Sequence, residues 1–125
     1  MYDRDSDAWE QVDIDTNLNL YGVSGTNSSD FYVVGEQGLV LHYNGKRWEE
    51  VNIGSRSNMW GVWSFKGNNA IAVGANGAAY KIQGTIVKEL KTGVDEHLYA
   101  VTGSNEVNVW AVGSKGLALH FDGEE

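Results

Sequence analysis

The chain has 125 residues, 42% of them hydrophobic and 21% charged, with a formal net charge of -8; this composition belongs to a folded globular chain and not to a disordered one. The charge opposes a phosphate backbone, because binding nucleic acid relies on clustered Lys and Arg that release counterions, and anionic membrane surfaces are disfavoured for the same reason. Cysteine is absent, which excludes disulfides, thiolate nucleophiles and thiolate metal sites.

Residues 1–7 read as an acidic tail. Asp3-x-Asp5-x-Asp7 copies the first three ligand positions of a calcium loop, whose oxygens converge on a hard cation at alternate residues. Ala8 stands where the turn glycine belongs and Ile14 where a bidentate Glu is needed, so the segment reads as solvated and no metal is expected. It lacks the apolar stretch of a secretory signal, and no apolar run approaches the ~20 residues that span a bilayer. A cytoplasmic protein is the expectation.

Residues 8–19 contain Trp9-Glu-Gln-Val-Asp-Ile14, which returns 39 residues later as Trp48-Glu-Glu-Val-Asn-Ile53. That period governs the rest of the chain. An aromatic recurs at Tyr21, Trp60 and Tyr99, and a valine at Val23, Val62 and Val101. Val-Gly follows at Val34-Gly35, Val73-Gly74 and Val112-Gly113, then glycine at Gly38, Gly77 and Gly116, and again at Gly45, Gly84 and Gly123. A fixed period of roughly 20 to 50 residues marks repeat architectures, in which each unit must stack on the next to bury its apolar face. Repeat 1 spans 20–58, repeat 2 spans 59–97 and repeat 3 spans 98–125.

Repeat 1 holds four β-rich segments, Leu20–Ser24, Phe31–Gly35, Leu39–Tyr43 and Trp48–Ile53, separated by turn residues. Asn44-Gly45, repeated as Gln83-Gly84 and Asp122-Gly123, is a strong hairpin signal with both residues tolerating positive φ. Four antiparallel strands in about 40 residues describe a β-propeller blade. The runs Phe31–Val34 and Leu39–Leu41 are apolar without alternation, as strands buried on both faces should be. The expected fold is all-β, a propeller with three four-stranded blades per chain.

The frame is offset: Trp9 to Glu125 is 117 residues, three full periods, starting on a fourth strand and stopping after a third. Three blades fall short of the roughly four to eight that close a ring. The expectation is a homodimer closed by strand exchange, with residues 8–19 of one chain completing the last blade of the other and six blades in all. Trp9, Val12 and Ile14 would dock beside Leu117, Leu119 and Phe121. Unmated strand edges forfeit hydrogen bonds worth about 0.5–1.5 kcal/mol each, plus apolar burial, so no stable folded monomer is expected.

The string Val34-Gly-x-x-Gly38, followed by Leu-His-Tyr-Asn-Gly-Lys-Arg-Trp-Glu-Glu-Val51, resembles blades of bacterial and phage repeat propellers related to photosystem-assembly and sialidase-like proteins. The resemblance runs from Trp9 to Glu125 and implies the propeller fold. Sialidase Asp-boxes carry Ser-x-Asp-x-Gly-x-x-Trp at the turn between third and fourth strands; here Asn44, Gly45 and Trp48 hold that turn with Asn directly before Gly. Sialidase activity is therefore not carried over. The WD-repeat family matches less well, since neither Gly-His nor Trp-Asp occurs.

Candidate chemistry is sparse. His42 and His120 share one repeat position, with Lys81 between them, and a histidine among apolar strand neighbours reads as a hydrogen-bonded packing residue. His97 lies in a connecting loop. The Gly35-Glu-Gln-Gly38 turn reads as a hairpin, because a phosphate cradle needs its glycine loop to open a helix. Repeat 2 departs most, with Trp63 and Phe65 replacing Ser24 and Thr26 of repeat 1 and Thr102 and Ser104 of repeat 3. These aromatics either wall a pocket for sugars or peptide side chains, or fill space left by Ala70, Ala72, Ala78 and Ala79. Loop amides add Asn27, Asn69 and Asn105 to Trp63 and Phe65 as candidate ligand contacts. No Gly-x-Ser-x-Gly elbow or cofactor motif occurs. The sequence therefore reads as a non-catalytic binding scaffold with no cofactor, taking a glycan or protein ligand. A lectin, or a purely structural self-assembling half-propeller, is the alternative.

Overall fold

The computed structural model describes residues 2–3, 8–9, 11–12, 14, 16–27, 30–65 and 69–123, with residues 2, 3, 8, 9 and 27 described through their backbone alone. Asp5 and Asp7 of the acidic tail lie outside the described residues. Near the N-terminus β1 (Tyr2–Asp3) and β2 (Ala8–Trp9) pair antiparallel. The other strands build three antiparallel sheets at the repeat spacing. Sheet 1 is β3 (Leu20–Asn27), β4 (Asp30–Gly35), β5 (Val40–Tyr43) and β6 (Trp48–Glu50); sheet 2 is β7 (Met59–Phe65), β8 (Asn69–Gly74), β9 (Ala79–Gln83) and β10 (Ile86–Glu89). Sheet 3 is β11 (Leu98–Asn105), β12 (Asn108–Gly113) and β13 (Ala118–Phe121).

Each sheet is a meander in which sequential strands pair antiparallel. Between the second and third strands the chain makes a short 3-10 turn in which Gln37, Asn76 and Lys115 take φ of 57°, 59° and 60°. Glycine follows each of them at positive φ, in the left-handed region where a Cβ is penalised. At two of the three sites space also forbids a side chain: a Cβ on Gly38 would lie 2.0 Å from the Ser55 carbonyl oxygen, and one on Gly77 2.0 Å from that of Val94. The Asn44-Gly45 turn differs from expectation. Only Gly45 takes positive φ; Asn44 instead accepts the N–H groups of Lys46 and Arg47 on its side-chain oxygen, 2.9 and 3.0 Å away, an Asx turn.

The core is two layers between neighbouring sheets, with no layer inside any single sheet. Tyr32, Val34, Val40 and Val51 of sheet 1 pack on Met59, Val62, Ala72 and Ile82 of sheet 2. One period later Ile71, Val73, Ala79 and Leu90 pack on Leu98, Val101, Ala111 and Phe121. The central strands β4 and β8 are thus buried from both sides, which explains their apolar runs without alternation, whereas β12 is buried on one face only.

The first and last strands depart from the expected frame. β3 extends to Asn27 and β6 ends at Glu50, after which Val51 bonds Val40 and the chain leaves the sheet. Of the expected strand Trp9–Ile14, Trp9 is extended and paired to β1, and among the other described residues Gln11, Val12 and Ile14 belong to no strand. A fourth-strand segment makes its ladder only beside a third strand, and this chain places none next to it.

Candidate functional site

The residues singled out from sequence separate into packing groups and turn builders. Phe65 is buried, and Trp63 stacks on it at 4.7 Å while packing on the layer between sheets 2 and 3. The pair packs into this layer, as the space-filling reading expects. It is needed there because that layer has Ile71 and Leu119 where the first has Tyr32 and Tyr80, and a cavity of about 150 Å³ lined by Ile71, Leu98 and Leu119 still remains. Asn105 accepts the N–H of Val107 at 2.9 Å and shapes its turn. Asn69 lies at the start of β8 opposite Phe65 and Gln83, and the side chain of Asn27 is outside the described residues.

His42 is a buried polar side chain engaged on both ring nitrogens. Its Nε2 lies 2.7 Å from Asp30 Oδ1 and its Nδ1 3.2 Å from Glu49 Oε1, and the ring stacks on Tyr32 at 4.4 Å. Tyr32 in turn donates to the carbonyl of Gly84, in the turn between β9 and β10, at 3.2 Å. Burial pushes the Tyr32 phenol well above the usual tyrosine range, with the carboxylates of Asp30 and Glu49 adding to the rise. Two repeats later, at the same repeat position, His120 bonds Asn108 at 2.7 Å and lies over Trp110 at 4.6 Å. Histidine on this strand therefore bridges neighbouring strands above an aromatic ring. Among the described residues, no three His, Asp or Glu side chains gather where they could hold a metal ion, and no helix is long and apolar enough to cross a membrane.

The outer faces of sheets 1 and 3 carry the largest anomaly. Met59 and Leu98 are 0% exposed, but Leu20 at the same repeat position is 42% exposed; Val62 is 7% exposed and Val23 68%. On the opposite side of the array, Tyr32 and Val34 are 0% exposed, whereas Trp110 and Val112 are each 48% exposed. Sequence reasoning passed over all four, because repetition alone cannot say which copy lacks a neighbour. The closure residues proposed from sequence are arranged less simply. Leu117, Leu119 and Phe121 pack on the layer between sheets 2 and 3, Val12 is exposed, Ile14 is half-buried, and β13 has no second neighbour among the described strands.

Comparison with known proteins bears on this architecture. No protein-family model matches the sequence, and no curated protein matches it. Among solved structures, YCF48 bound to D1 peptide superposes with a TM-score of 0.75 at 15% sequence identity. The fold is propeller-like. The match covers 91% of this chain and 41% of that one, so three blades span about two fifths of the matched propeller. The blade resemblance drawn from residues 34–51 agrees with this likeness at the level of fold.

Proposed function

We propose that the chain is a non-catalytic propeller scaffold that binds a protein partner and completes its ring with a second copy, head face to tail face. The observation that carries this reading is the register of the exposed apolar residues. Leu20, Trp110 and Val112 occupy positions that are buried at both internal joints, and Val23 one that is buried at the first and partly buried at the second. Docking sheet 3 of one copy on sheet 1 of another would remove all four from water at about 25 cal/mol per Å², and two such joints about a two-fold axis leave six blades and no open face.

Finer features support the same docking. A Cβ on Gly116 would meet nothing within 4 Å, where Gly38 and Gly77 abut the carbonyls of Ser55 and Val94. Thr16 precedes Ser55 by one period and already makes the same turn. Its hydroxyl accepts the N–H of Leu18 as that of Ser55 accepts the N–H of Ser57, both at 3.1 Å. Residues 16–18 therefore repeat the hydroxyl-capped turn of residues 55–57. A protein ligand is favoured because the fold neighbour binds a peptide, and because the titratable side chains brought together here, His42 with Asp30 and Glu49, are occupied with one another.

Native mass spectrometry at micromolar concentration tests the ring. The expected species has twice the 13.7 kDa chain mass, and Trp110→Asp shifts it to monomer without loss of β-structure. A compact, folded single chain at those concentrations would overturn the reading.

A further inference from the structure

We propose that the aromatic row formed by Tyr21, Trp60 and Tyr99 is a binding site for a neutral oligosaccharide, an inference that rests on the scaffold reading but does not require the ring to close. Each of these residues sits at an irregularity of its inner strand. The pairing slips between Leu20 and Gly22, between Met59 and Gly61, and between Leu98 and Ala100, so the aromatic is the extra, unpaired residue of a bulge. A bulge re-aims the side chain it carries. The neighbours at Met59 and Leu98 go fully into the core, while the bulged rings line up across the three strands, with centroids 6.5 Å apart from Tyr21 to Trp60 and 5.0 Å from Trp60 to Tyr99. Tyr21 is 42% exposed and Tyr99 48%. All three blades spend a large aromatic at this position without burying it.

Donors flank the row. Two residues before Trp60, the Asn58 side-chain oxygen accepts the N–H of Gln37 at 3.0 Å; two residues before Tyr99, His97 Nδ1 accepts the N–H of Asn76 at 3.1 Å. These bonds reach back to the 3-10 turn of the preceding blade and fix both side chains. They leave the Asn58 amide N–H groups without a protein partner among the described residues, and the neutral His97 imidazole must then carry its proton on Nε2, also unpartnered there. His97 stands edge-on to Trp60, at 5.1 Å and 82°. The row thus combines ring faces with oriented N–H donors.

The inner strands decide between ligand classes. Aromatic faces hold either cations or neutral amphipathic ligands. β3, β7 and β11 contain no charged residue, their polar side chains being Ser24, Thr26, Asn27, Ser64, Thr102, Ser104 and Asn105. A cationic peptide would find no carboxylate on these strands. A pyranose presents a C–H face to a ring and hydroxyls to the amide and imidazole donors, which is the combination on offer.

The test uses the full chain labelled with ¹⁵N, titrated to millimolar concentration with cellohexaose, chitohexaose and maltohexaose, and with hexalysine as the cationic control. At least one neutral hexasaccharide should shift the Trp60 indole N–H resonance. Tyr99→Ala, at an exposed position that leaves the fold intact, should weaken that binding by about tenfold. Three results would overturn the proposal: no neutral saccharide moves Trp60, the shift survives both Tyr21→Ala and Tyr99→Ala, or hexalysine displaces the sugar. The oligomer mass of the same sample separates the two readings, since a dimer without sugar binding removes only this site, and a sugar-binding monomer removes only the ring.

Discussion

The joint between sheets 1 and 2 and the outer face of sheet 3 are built from the same repeat positions, yet one is a closed layer and the other lies open. Tyr32 and Val34 are sealed against Met59 and Val62, and their counterparts Trp110 and Val112 stand half in water. Sheet 1 shows the complementary half, with Leu20 and Val23 exposed where Met59 and Val62 are buried. A blade of this fold has no core of its own, so burial is decided by the presence of a neighbour and not by the residue's own hydrophobicity. The open faces carry apolar residues at repeat positions that are buried in the layers already present in the molecule.

Truncations at equivalent positions give the largest expected contrast. Met59→Ala and Leu98→Ala remove fully buried side chains and should each cost about 2–5 kcal/mol in urea unfolding. Leu20→Ala, at the same repeat position, should cost under about 0.5 kcal/mol in dilute chain, as surface changes do. At concentrations where two copies associate, its cost should grow. An equal cost for all three at every concentration would break the comparison, because Leu20 would then already be packed.

Glycine substitutions sharpen it next. Gly77→Ala combines positive φ with a Cβ 2.0 Å from the Val94 carbonyl oxygen and should cost about 2–4 kcal/mol. Gly116→Ala meets open space and should cost only the backbone strain, about 1–2 kcal/mol. If Thr16 of a second copy occupies that space, Gly116→Ala should also abolish dimerisation, which native mass spectrometry reads separately from the unfolding midpoint.

A smaller effect belongs to the first joint alone, since only there does this repeat position carry a titrating ring. The neutral form of Tyr32 is favoured in the folded chain, so its contribution is complete below the ordinary tyrosine pKa of about 10 and is lost as the pH rises past it. The unfolding midpoint should fall in that alkaline range. Tyr32→Phe should lower stability by about 0.5–1.5 kcal/mol at neutral pH, through the lost bond to Gly84, and make the alkaline descent shallower.

The sequence carried the architecture because a 39-residue period leaves little freedom: each Val-Gly pair ends a second strand, and each following glycine completes a left-handed turn. What it could not carry was context. Trp63 and Phe65 read equally as a pocket wall or as filling for missing bulk, and the layer they pack on has Ile71 and Leu119 as its smaller members. The bulges at Tyr21, Trp60 and Tyr99 were equally hidden. An aromatic at a fixed position reads as core until the pairing register shows it displaced from its ladder.

The finest version of the comparison lies in a single side-chain cap. Asn58 accepts the N–H of Gln37, and His97 that of Asn76, so each blade steadies the left-handed residue of the blade before it. Asn19 holds the same repeat position, and in the proposed ring its matching left-handed residue would be Lys115 of a second copy. Asn58→Ala should therefore cost about 0.5–1 kcal/mol at any concentration, the worth of one exposed cap. Asn19→Ala should cost nothing in a lone chain and the same amount per joint once two copies meet, because only a second molecule can bring Lys115 to it. A concentration-independent loss in Asn19→Ala would place its partner inside the chain and remove the cap from the joint; a loss that follows the dimer fraction would fix the register of docking to one residue.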